Sequence, residues 1–343
     1  MALLVDKARH QIRAVAQWLN LTLETPGETQ ARILYQPLET ALIRIAVDLR
    51  IFNALSGERN GSKSLDELAA VTKADPALLA RILRSLAAFG AVRQTSANEF
   101  KATGICETFT QLPLSDGSKF CFDVAGMAWQ YLPEFLRKTG HKEPFDGRNC
   151  AFNMAFRTDE PIFDFLIKNP KFLEVFNSYM TSRRQGRQSW LEFFPLEREL
   201  VTGFSNKGNA VMFVDVGGGY GQEIQEVKKR YPDLPGRMIL QDLPDTIKQI
   251  TAAPNTETMA YDFFTPQLIR GARAYYLRNV LHDWPDTQCR EILQRTASAM
   301  KKDYSKLLIN EWCLRDRGSS VYATFLDINM MADLQNLVGI ITW

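Results

Sequence analysis

The chain has 343 residues, of which 45% are hydrophobic and 23% are charged, and its formal net charge is +2. This length predicts roughly two or three domains with sizeable cores, and so weak a charge argues against a nucleic-acid partner. Five cysteines without a C-x-x-C pair predict neither a disulfide framework nor a zinc site. The sequence contains no signal-peptide core and no apolar stretch of membrane-spanning length, so we expect a cytoplasmic protein without a membrane partner.

The first hundred residues predict a set of helices followed by a small hairpin. Apolar residues recur at helical spacing over 31–55, which predicts one long amphipathic helix, interrupted at most near Pro37. Two shorter helices are expected over 65–71 and 76–89, and a hairpin over 91–100. A helix pair followed by a hairpin is typical of a winged helix.

A winged helix raises the alternative of a DNA-binding regulator, whose second helix enters the major groove. That helix is expected to begin at an Asp75 cap with Pro76 at its first position, and to be closed by Gly90. Its only long polar side chains are Arg81 and Arg84, among alanines and leucines. Packing explains this composition better than base reading does.

The segment 111–205 is rich in aromatic residues and is predicted to be mostly helical. Most of these rings are expected in the core, because large apolar side chains are usually buried. A minority are candidates for lining a pocket for a flat, aromatic substrate. The candidates at helical spacing are Phe176, Tyr179 and Met180.

A buried strand that runs directly into a glycine turn is the most informative pattern. Residues 211–216 form an apolar run broken only by Asp215, as in a central parallel strand. Glycine in the following turn permits positive φ and close approach of a ligand. A helix is expected from Gln222 onward, which completes the first unit of a doubly wound α/β domain. The glycines are Gly217, Gly218, Gly219 and Gly221.

Four further strands are expected after this unit, and each ends in polar residues. They are predicted over 237–241, 257–260, 272–277 and 306–310.

Acidic residues after two of these strands outline an adenosine. Asp242 is placed to accept hydrogen bonds from a ribose, although a helix cap is the alternative. Asp262 and Phe263 offer an acceptor for an amine and an apolar edge for a purine. The NAD fingerprint requires a third glycine where Gln222 stands, so G-x-G-x-G fits S-adenosylmethionine better.

One of only three histidines, His282, follows the 272–277 strand and is expected at the edge of the sheet. Pro285 and Asp286 are expected to open the next helix and to hold His282 on a short loop. Glu311, after the neighbouring strand, is placed to accept a hydrogen bond from one imidazole nitrogen, leaving the other as a base. Asp283 is assigned a supporting role, in which it stabilises the imidazolium; a residue at the start of the next helix is the alternative.

The glycine turn, Asp242, the Asp262 pair and above all the LHDWPD motif resemble the class I S-adenosylmethionine-dependent O-methyltransferases of the plant caffeate and fungal secondary-metabolite type. The segment SRRQGRQSW at 182–190 resembles the fungal members specifically. The resemblance implies a winged-helix dimerisation domain over 1–110, a helical substrate-pocket segment over 111–205 and a Rossmann-like catalytic domain over 206–343.

The resemblance also implies a role for each site residue. His282 corresponds to the general base, and Glu311 to one of two acids that flank it. The turn at 217–219 corresponds to the site of the methionine part of the cofactor, Asp242 to that of the ribose, and Asp262 with Phe263 to that of the adenine. Further positions correspond to a cofactor contact at Arg278 and to the substrate pocket at Asn329 and Met330.

The implied reaction is direct methylation of a hydroxyl on an aromatic secondary metabolite, such as a polyketide or an indole alkaloid, by a homodimer without a metal. A pericyclase of the same fold is the alternative, because some fungal relatives keep the fold and cofactor for that reaction. After residue 335 the family continues with a glycine-rich segment that carries the second flanking acid, then a helix and two strands. This sequence ends without them, so the final strands are expected to be missing.

Overall fold

The structure is a computed structural model, and it divides into two compact units. One unit comprises Met1–Val124 and Pro170–Arg183, and the other Ala125–Asn169 and Arg184–Trp343. The residues that the structure describes are 2–56, 61–144, 146–182, 189–205, 207–248, 250, 256–284, 286–311, 314 and 316–333. Three expectations therefore concern residues outside the described part: most of the 182–190 segment, Pro285, and the chain end at 334–343.

Helices predominate up to residue 210, and strands and helices alternate beyond it. Up to residue 120 the elements are α1 (Ala2–Leu23), α2 (Pro26–Asp48), α3 (Ile51–Ser56), β1 (Lys63–Ser64), α4 (Leu65–Thr72), α5 (Pro76–Ala88), β2 (Val92–Ser96), β3 (Glu99–Ala102), α6 (Gly104–Thr110) and α7 (Leu112–Phe120). Up to residue 230 they are α8 (Gly126–Lys138), α9 (Ala151–Phe156), α10 (Ile162–Lys168), α11 (Pro170–Ser182), β4 (Val211–Val216) and α12 (Gln222–Arg230). The last are β5 (Arg237–Asp242), α13 (Pro244–Lys248), β6 (Glu257–Ala260), β7 (Ala274–Arg278), α14 (Asp286–Ala299), β8 (Lys306–Asn310) and α15 (Val321–Asp333).

The long helix predicted over 31–55 is two helices, so that prediction was wrong about the interruption. Helix α2 continues through Pro37, and the break comes after Asp48, where Arg50 adopts a φ of 54°. The turn redirects the chain so that Ile51 and Phe52 of α3 are completely buried. Apolar spacing did not reveal the break, because both helices continue the same stripe. Helix α1 was not predicted.

The winged-helix part has the predicted helix caps and hairpin. The backbone N–H of Leu78 donates to Asp75 Oδ1 at 2.9 Å, which caps the start of α5. At the other end Gly90 has a φ of 83° and the N–H of Ala91 donates to the carbonyl of Leu86, which satisfies the last turn of the helix. Strands β2 and β3 form the hairpin, and β1 adds a third antiparallel strand in the order β1-β3-β2.

Helices α1 and α2 expose many large apolar side chains in the single chain. On these two helices, the described large apolar side chains that are more than two-fifths exposed are Ile12, Val15, Trp18, Leu19, Leu21, Leu23, Ile33, Leu34, Tyr35 and Leu38. Exposed apolar side chains in this number on two helices are a candidate interaction surface. Across the described part of the chain, every helix is too short or too polar to cross a membrane.

The second unit is built on a five-stranded parallel sheet in the order β6-β5-β4-β7-β8. Every residue of the central strand β4 is buried, as the apolar run predicted. From β4 the chain builds β5 and β6 on one side and then β7 and β8 on the other, so the strand order reverses beside β4. Ligands of open α/β sheets bind at such a switch point, outside the carboxyl ends of the strands. The predicted doubly wound α/β class is confirmed.

Apolar side chains cover both faces of this sheet. One face packs Phe213, Leu240 and Tyr276 under α12, and the other packs residues such as Val214 and Leu277 under α14. Alternate residues of each strand therefore point into different cores, and this explains why the strands read as nearly continuous apolar runs.

Candidate functional site

The four glycines of the turn after β4 are required for two different reasons. Gly217, Gly219 and Gly221 have φ values of 68°, 56° and 76°, a region that other residues rarely adopt. At Gly218 the reason is space, because a Cβ there would lie 2.5 Å from the side chains of Asp215 and Leu240.

Three loops converge at Gly217. A Cβ on Gly217 would lie 3.0 Å from Cγ2 of Val280 and 3.5 Å from Cε1 of Phe263. Phe263 belongs to the loop after β6, and Val280 to the loop after β7. The glycine turn, the predicted adenine loop and the histidine loop thus meet at one edge of the sheet.

Asp242, at the end of β5, ties this turn to the neighbouring strand. Its Oδ2 accepts the N–H of Gly219 at 2.8 Å, and its Oδ1 accepts the N–H of Leu243 at 2.8 Å. A helix-capping aspartate would bind the N–H two or three residues further on, so the capping alternative does not describe this contact. An ionised carboxylate has about four acceptor sites, which leaves acceptor capacity for a ligand hydroxyl.

The loop after β6 is held by Asp262 and by ring packing. Asp262 is exposed, and its Oδ1 accepts the N–H of Phe264 at 3.0 Å. Phe263 is half-buried, and its ring centroid lies 5.8 Å from that of Trp284 in an edge-to-face contact. A carboxylate acceptor beside an aromatic ring suits a planar heterocycle with an exocyclic amine.

His282 lies in a one-turn 3-10 helix, Leu281–Asp283, directly after β7. Its Nδ1 is 2.7 Å from Oε2 of Glu311, the contact expected from the sequence. Its Nε2 is 3.3 Å from Oδ1 of Asp283. The His282 side chain is 8% exposed and that of Glu311 only 3%. Helix α14 begins at Asp286, so Asp283 is not its first residue.

Glu311 is fixed by the backbone of the same loop. Its Oε1 accepts the N–H groups of Val280 and Leu281 at 2.7 and 2.8 Å. An ionised carboxylate only accepts hydrogen bonds, so Oε2 selects the tautomer of His282 that carries hydrogen on Nδ1. In the neutral ring Nε2 then has a lone pair and can take a proton.

Cys289 supports the histidine loop from α14. Its Sγ lies 3.1 Å from the carbonyl oxygen of Leu281 and 2.9 Å from that of Trp284. Burial raises the pKa of the Cys289 thiol to about 11. The thiol therefore stays protonated at neutral pH and is a hydrogen-bond donor here.

Glu223, which sequence reasoning missed, lies two residues beyond Gly221 in the first turn of α12 and is 2% exposed. Its Oε1 forms a close ion pair with Nη1 of Arg278, at the end of β7. Its Oε2 accepts from Nε1 of Trp190 at 2.7 Å and from the hydroxyl of Tyr276 at 3.1 Å. A signal did exist: a carboxylate beside Ile224 on the apolar face of a helix requires a buried partner.

Asn329 and Met330 lie on α15, in the same unit as His282. Oδ1 of Asn329 accepts from Nε1 of Trp129 at 2.8 Å. Met330 is buried and packs with Leu326. Their role in lining a substrate pocket stays a prediction.

Phe176, Tyr179 and Met180 lie on α11, in the unit that contains the winged helix. The ring centroids of Phe176 and Tyr179 are 5.1 and 6.2 Å from that of Phe120. Tyr179 also covers Gly117, where a Cβ would lie 2.5 Å from its ring. These are packing contacts within one unit, and the proposed substrate contacts stay predictions.

Known proteins share this arrangement of domains. The family model for the O-methyltransferase domain matches residues 129–337, and that for the O-methyltransferase dimerisation domain matches residues 35–112. Methyltransferase cfoC of Aspergillus candidus is 40% identical over 327 residues, which cover 95% of this chain and 81% of that protein. Demethylsterigmatocystin 6-O-methyltransferase of Aspergillus flavus is 35% identical over 329 residues, which cover 96% of this chain and 84% of that protein.

Solved structures agree with this comparison. A structure described as a pericyclic reaction enzyme aligns with a TM-score of 0.90 at 33% identity, over 96% of this chain and 84% of that chain. The structure of LepI in complex with S-adenosylmethionine gives the same four values.

Proposed function

Because the chain belongs to the O-methyltransferase family, we propose that it methylates a phenolic hydroxyl of an aromatic secondary metabolite, with S-adenosylmethionine as the methyl donor. Family membership confirms the predicted family and cofactor, and the two Aspergillus relatives are fungal, as the sequence resemblance indicated. The acceptor and the roles of individual residues are the proposal.

The His282–Glu311 pair is the observation that carries the proposal. Bound S-adenosylmethionine supplies an electrophilic methyl group on a sulfonium ion. Nε2 of His282 removes the proton from the acceptor hydroxyl, and the resulting oxyanion is the nucleophile. Glu311 acts through Nδ1, where it fixes the tautomer and stabilises the imidazolium that forms.

Asp283 adds to this stabilisation from the other side of the ring. Its Oδ1 is 3.3 Å from Nε2, so proton transfer to Nε2 creates a charge-assisted interaction with this carboxylate. Burial of the His282–Glu311 pair keeps competing water away from the base.

The edge of the sheet provides the proposed cofactor site. The open backbone at Gly219, where a Cβ would meet nothing within 4 Å, leaves room for the methionine part beside Gly217 and Gly218. Asp242 is assigned to the ribose, Asp262 with Phe263 to the adenine, and Arg278 to the methionine end.

The acceptor is proposed to be a flat aromatic molecule that carries a hydroxyl group. Asn329 and Met330 are proposed to contact a flat aromatic acceptor of the polyketide or indole-alkaloid class. For Phe176, Tyr179 and Met180, which belong to the other unit, contact with an acceptor stays a prediction from the sequence. The name of the Aspergillus flavus relative, demethylsterigmatocystin 6-O-methyltransferase, supports a hydroxyl as the methylated group. The division into segments 1–110, 111–205 and 206–343 and a cytoplasmic location are parts of the same proposal.

A homodimer is proposed through the N-terminal region. A dimerisation domain is present over residues 35–112, and the exposed apolar side chains of α1 and α2 supply surface that a second copy would cover. Sedimentation equilibrium of the purified chain measures this directly: a monomer at micromolar concentration would contradict it.

A pericyclase is the second candidate, favoured by the alignment with a pericyclic reaction enzyme. Incubation with methyl-labelled S-adenosylmethionine and a panel of polyketide phenols separates the two candidates. We expect label in the product together with stoichiometric S-adenosylhomocysteine. Isomerised product without S-adenosylhomocysteine would replace the methyltransferase proposal with the pericyclase.

A further inference from the structure

The carboxylate of Glu223 is buried directly behind the glycine turn, and the proposed function gives it no role. Glu223 is 2% exposed, and its partners within the described part of the chain include Trp190, Tyr276 and Arg278. A buried carboxylate without a partner is strongly destabilising, whereas a paired and hydrogen-bonded one is tolerated and restricts the geometry of its partners. The buried carboxylate of Glu223 therefore restricts the positions of the side chains that it contacts.

The carboxylate is itself held from the side away from Arg278. Trp190 and Tyr276 both donate to Oε2, and their rings stack with centroids 4.9 Å apart. The hydroxyl of Tyr276 accepts in turn from Nδ2 of Asn310 at 2.8 Å. Burial, and then the neighbouring Glu223, raise the pKa of Tyr276, so its hydroxyl remains a donor. Oε1 is thus left pointing at Arg278.

Arg278 is the residue whose position Glu223 determines. Its side chain is 16% exposed, and Nη1 is committed to Glu223. A guanidinium has five N–H groups, and among the described residues Glu223 is the only acceptor that Arg278 reaches. The remaining N–H groups are available to an anion at the end of β7, which pairs with β4 just before the glycine turn.

We propose that Glu223 is a positioning residue for the cofactor: it holds the guanidinium of Arg278 beside the glycine turn, where Arg278 binds the carboxylate of the methionine moiety. This inference rests on the proposed function, which assigns the methionine end to this turn. Arginine binds carboxylates through charge-assisted, often bidentate hydrogen bonds. A long, flexible side chain binds more tightly when its partner already holds it in place.

Two ligands separate this role from a general effect on the site. S-Adenosylhomocysteine carries the amino-acid carboxylate, whereas 5′-methylthioadenosine has the same adenosine and sulfur without it. Calorimetry on the full chain is expected to show that Glu223→Gln and Arg278→Met each weaken S-adenosylhomocysteine about tenfold, the value of one charge-assisted contact. Binding of 5′-methylthioadenosine should stay within about twofold for both variants.

Three further variants complete the test. Glu226→Gln removes the same charge one turn along α12 and should leave both affinities unchanged. The Glu223→Gln, Arg278→Met double variant should bind no more weakly than Arg278→Met alone, because Glu223 acts through Arg278. Glu223→Asp keeps the charge but shortens the side chain. This variant replaces Glu223→Gln in the test if Glu223→Gln does not fold. It should weaken the binding of S-adenosylhomocysteine but not that of 5′-methylthioadenosine.

Equal losses for both ligands, additive losses in the double variant, or unchanged affinity for S-adenosylhomocysteine would each overturn the role of Glu223. Failure of the wild-type chain to bind S-adenosylhomocysteine would instead overturn the proposed function, and this inference with it.

Discussion

Replacement of Glu311 by glutamine tests whether Glu311 selects the tautomer of His282. The substitution replaces one carboxylate oxygen with an NH₂ group and should reverse that tautomer. Oε1 of Glu311 accepts two backbone N–H groups, from Val280 and Leu281. In Glu311→Gln the amide oxygen must take this place, since an NH₂ group there would face two donors. The NH₂ group then points at Nδ1 of His282, 2.7 Å from Oε2 in the wild-type chain.

A donor at that position reverses the tautomer. Nδ1 must become the acceptor, so the ring hydrogen moves to Nε2 and the base loses its lone pair. General base catalysis contributes about 10²- to 10⁴-fold, so kcat should fall by that factor, or by about 3 to 5 kcal/mol in activation free energy. Cofactor affinity should be unchanged, because Glu311 is not assigned a cofactor contact.

The assay compares initial rates of label transfer from S-adenosylmethionine to the best phenol acceptor, with affinity for S-adenosylhomocysteine measured in parallel. The loss should shrink for more acidic phenols, which ionise without a base. If Glu311→Gln keeps its rate within about threefold of wild type at neutral pH, or loses the same factor with every phenol, the tautomer argument is wrong.

Two predictions concern stability. Gly218→Ala places a Cβ 2.5 Å from the side chains of Asp215 and Leu240, so thermal unfolding should show that the free energy of unfolding falls by about 1 to 3 kcal/mol. The control is Gly104→Ala, where a Cβ meets nothing within 4 Å. Equal effects of the two substitutions would contradict the packing argument. Burial raises the pKa of Asp333 to about 7, so the folded chain loses stability as pH rises from about 4 to 7, on the order of 4 kcal/mol in total. Asp333→Asn should therefore raise Tm more at about pH 8 than at about pH 5, and an equal shift at both would count against it.

The sheet and its edge could be predicted because their signals are local. The apolar runs locate β4, and β6 and β8 have the predicted bounds. In a parallel sheet, polar residues that follow neighbouring strands must meet at one edge, which is why the contact between His282 and Glu311 could be expected. The Asp75 cap follows from two adjacent residues for the same reason.

Features that depend on distant packing could not be predicted. Glu223 contacts Trp190 and Arg278, which are 33 and 55 residues away in the chain, and no spacing rule relates them. The break at Arg50 depends on how α3 is buried, which the shared apolar stripe conceals. Local spacing identified Phe176 as one of a row of aromatic side chains, but not that its ring packs on Phe120.

The central claim is that His282 is the base for methyl transfer, and His282→Ala tests it most directly when binding and transfer are measured on the same preparation. We predict that the variant binds S-adenosylhomocysteine with wild-type affinity and transfers label to phenols at least about 10²-fold more slowly. Undiminished transfer by the folded, cofactor-binding variant would contradict the account.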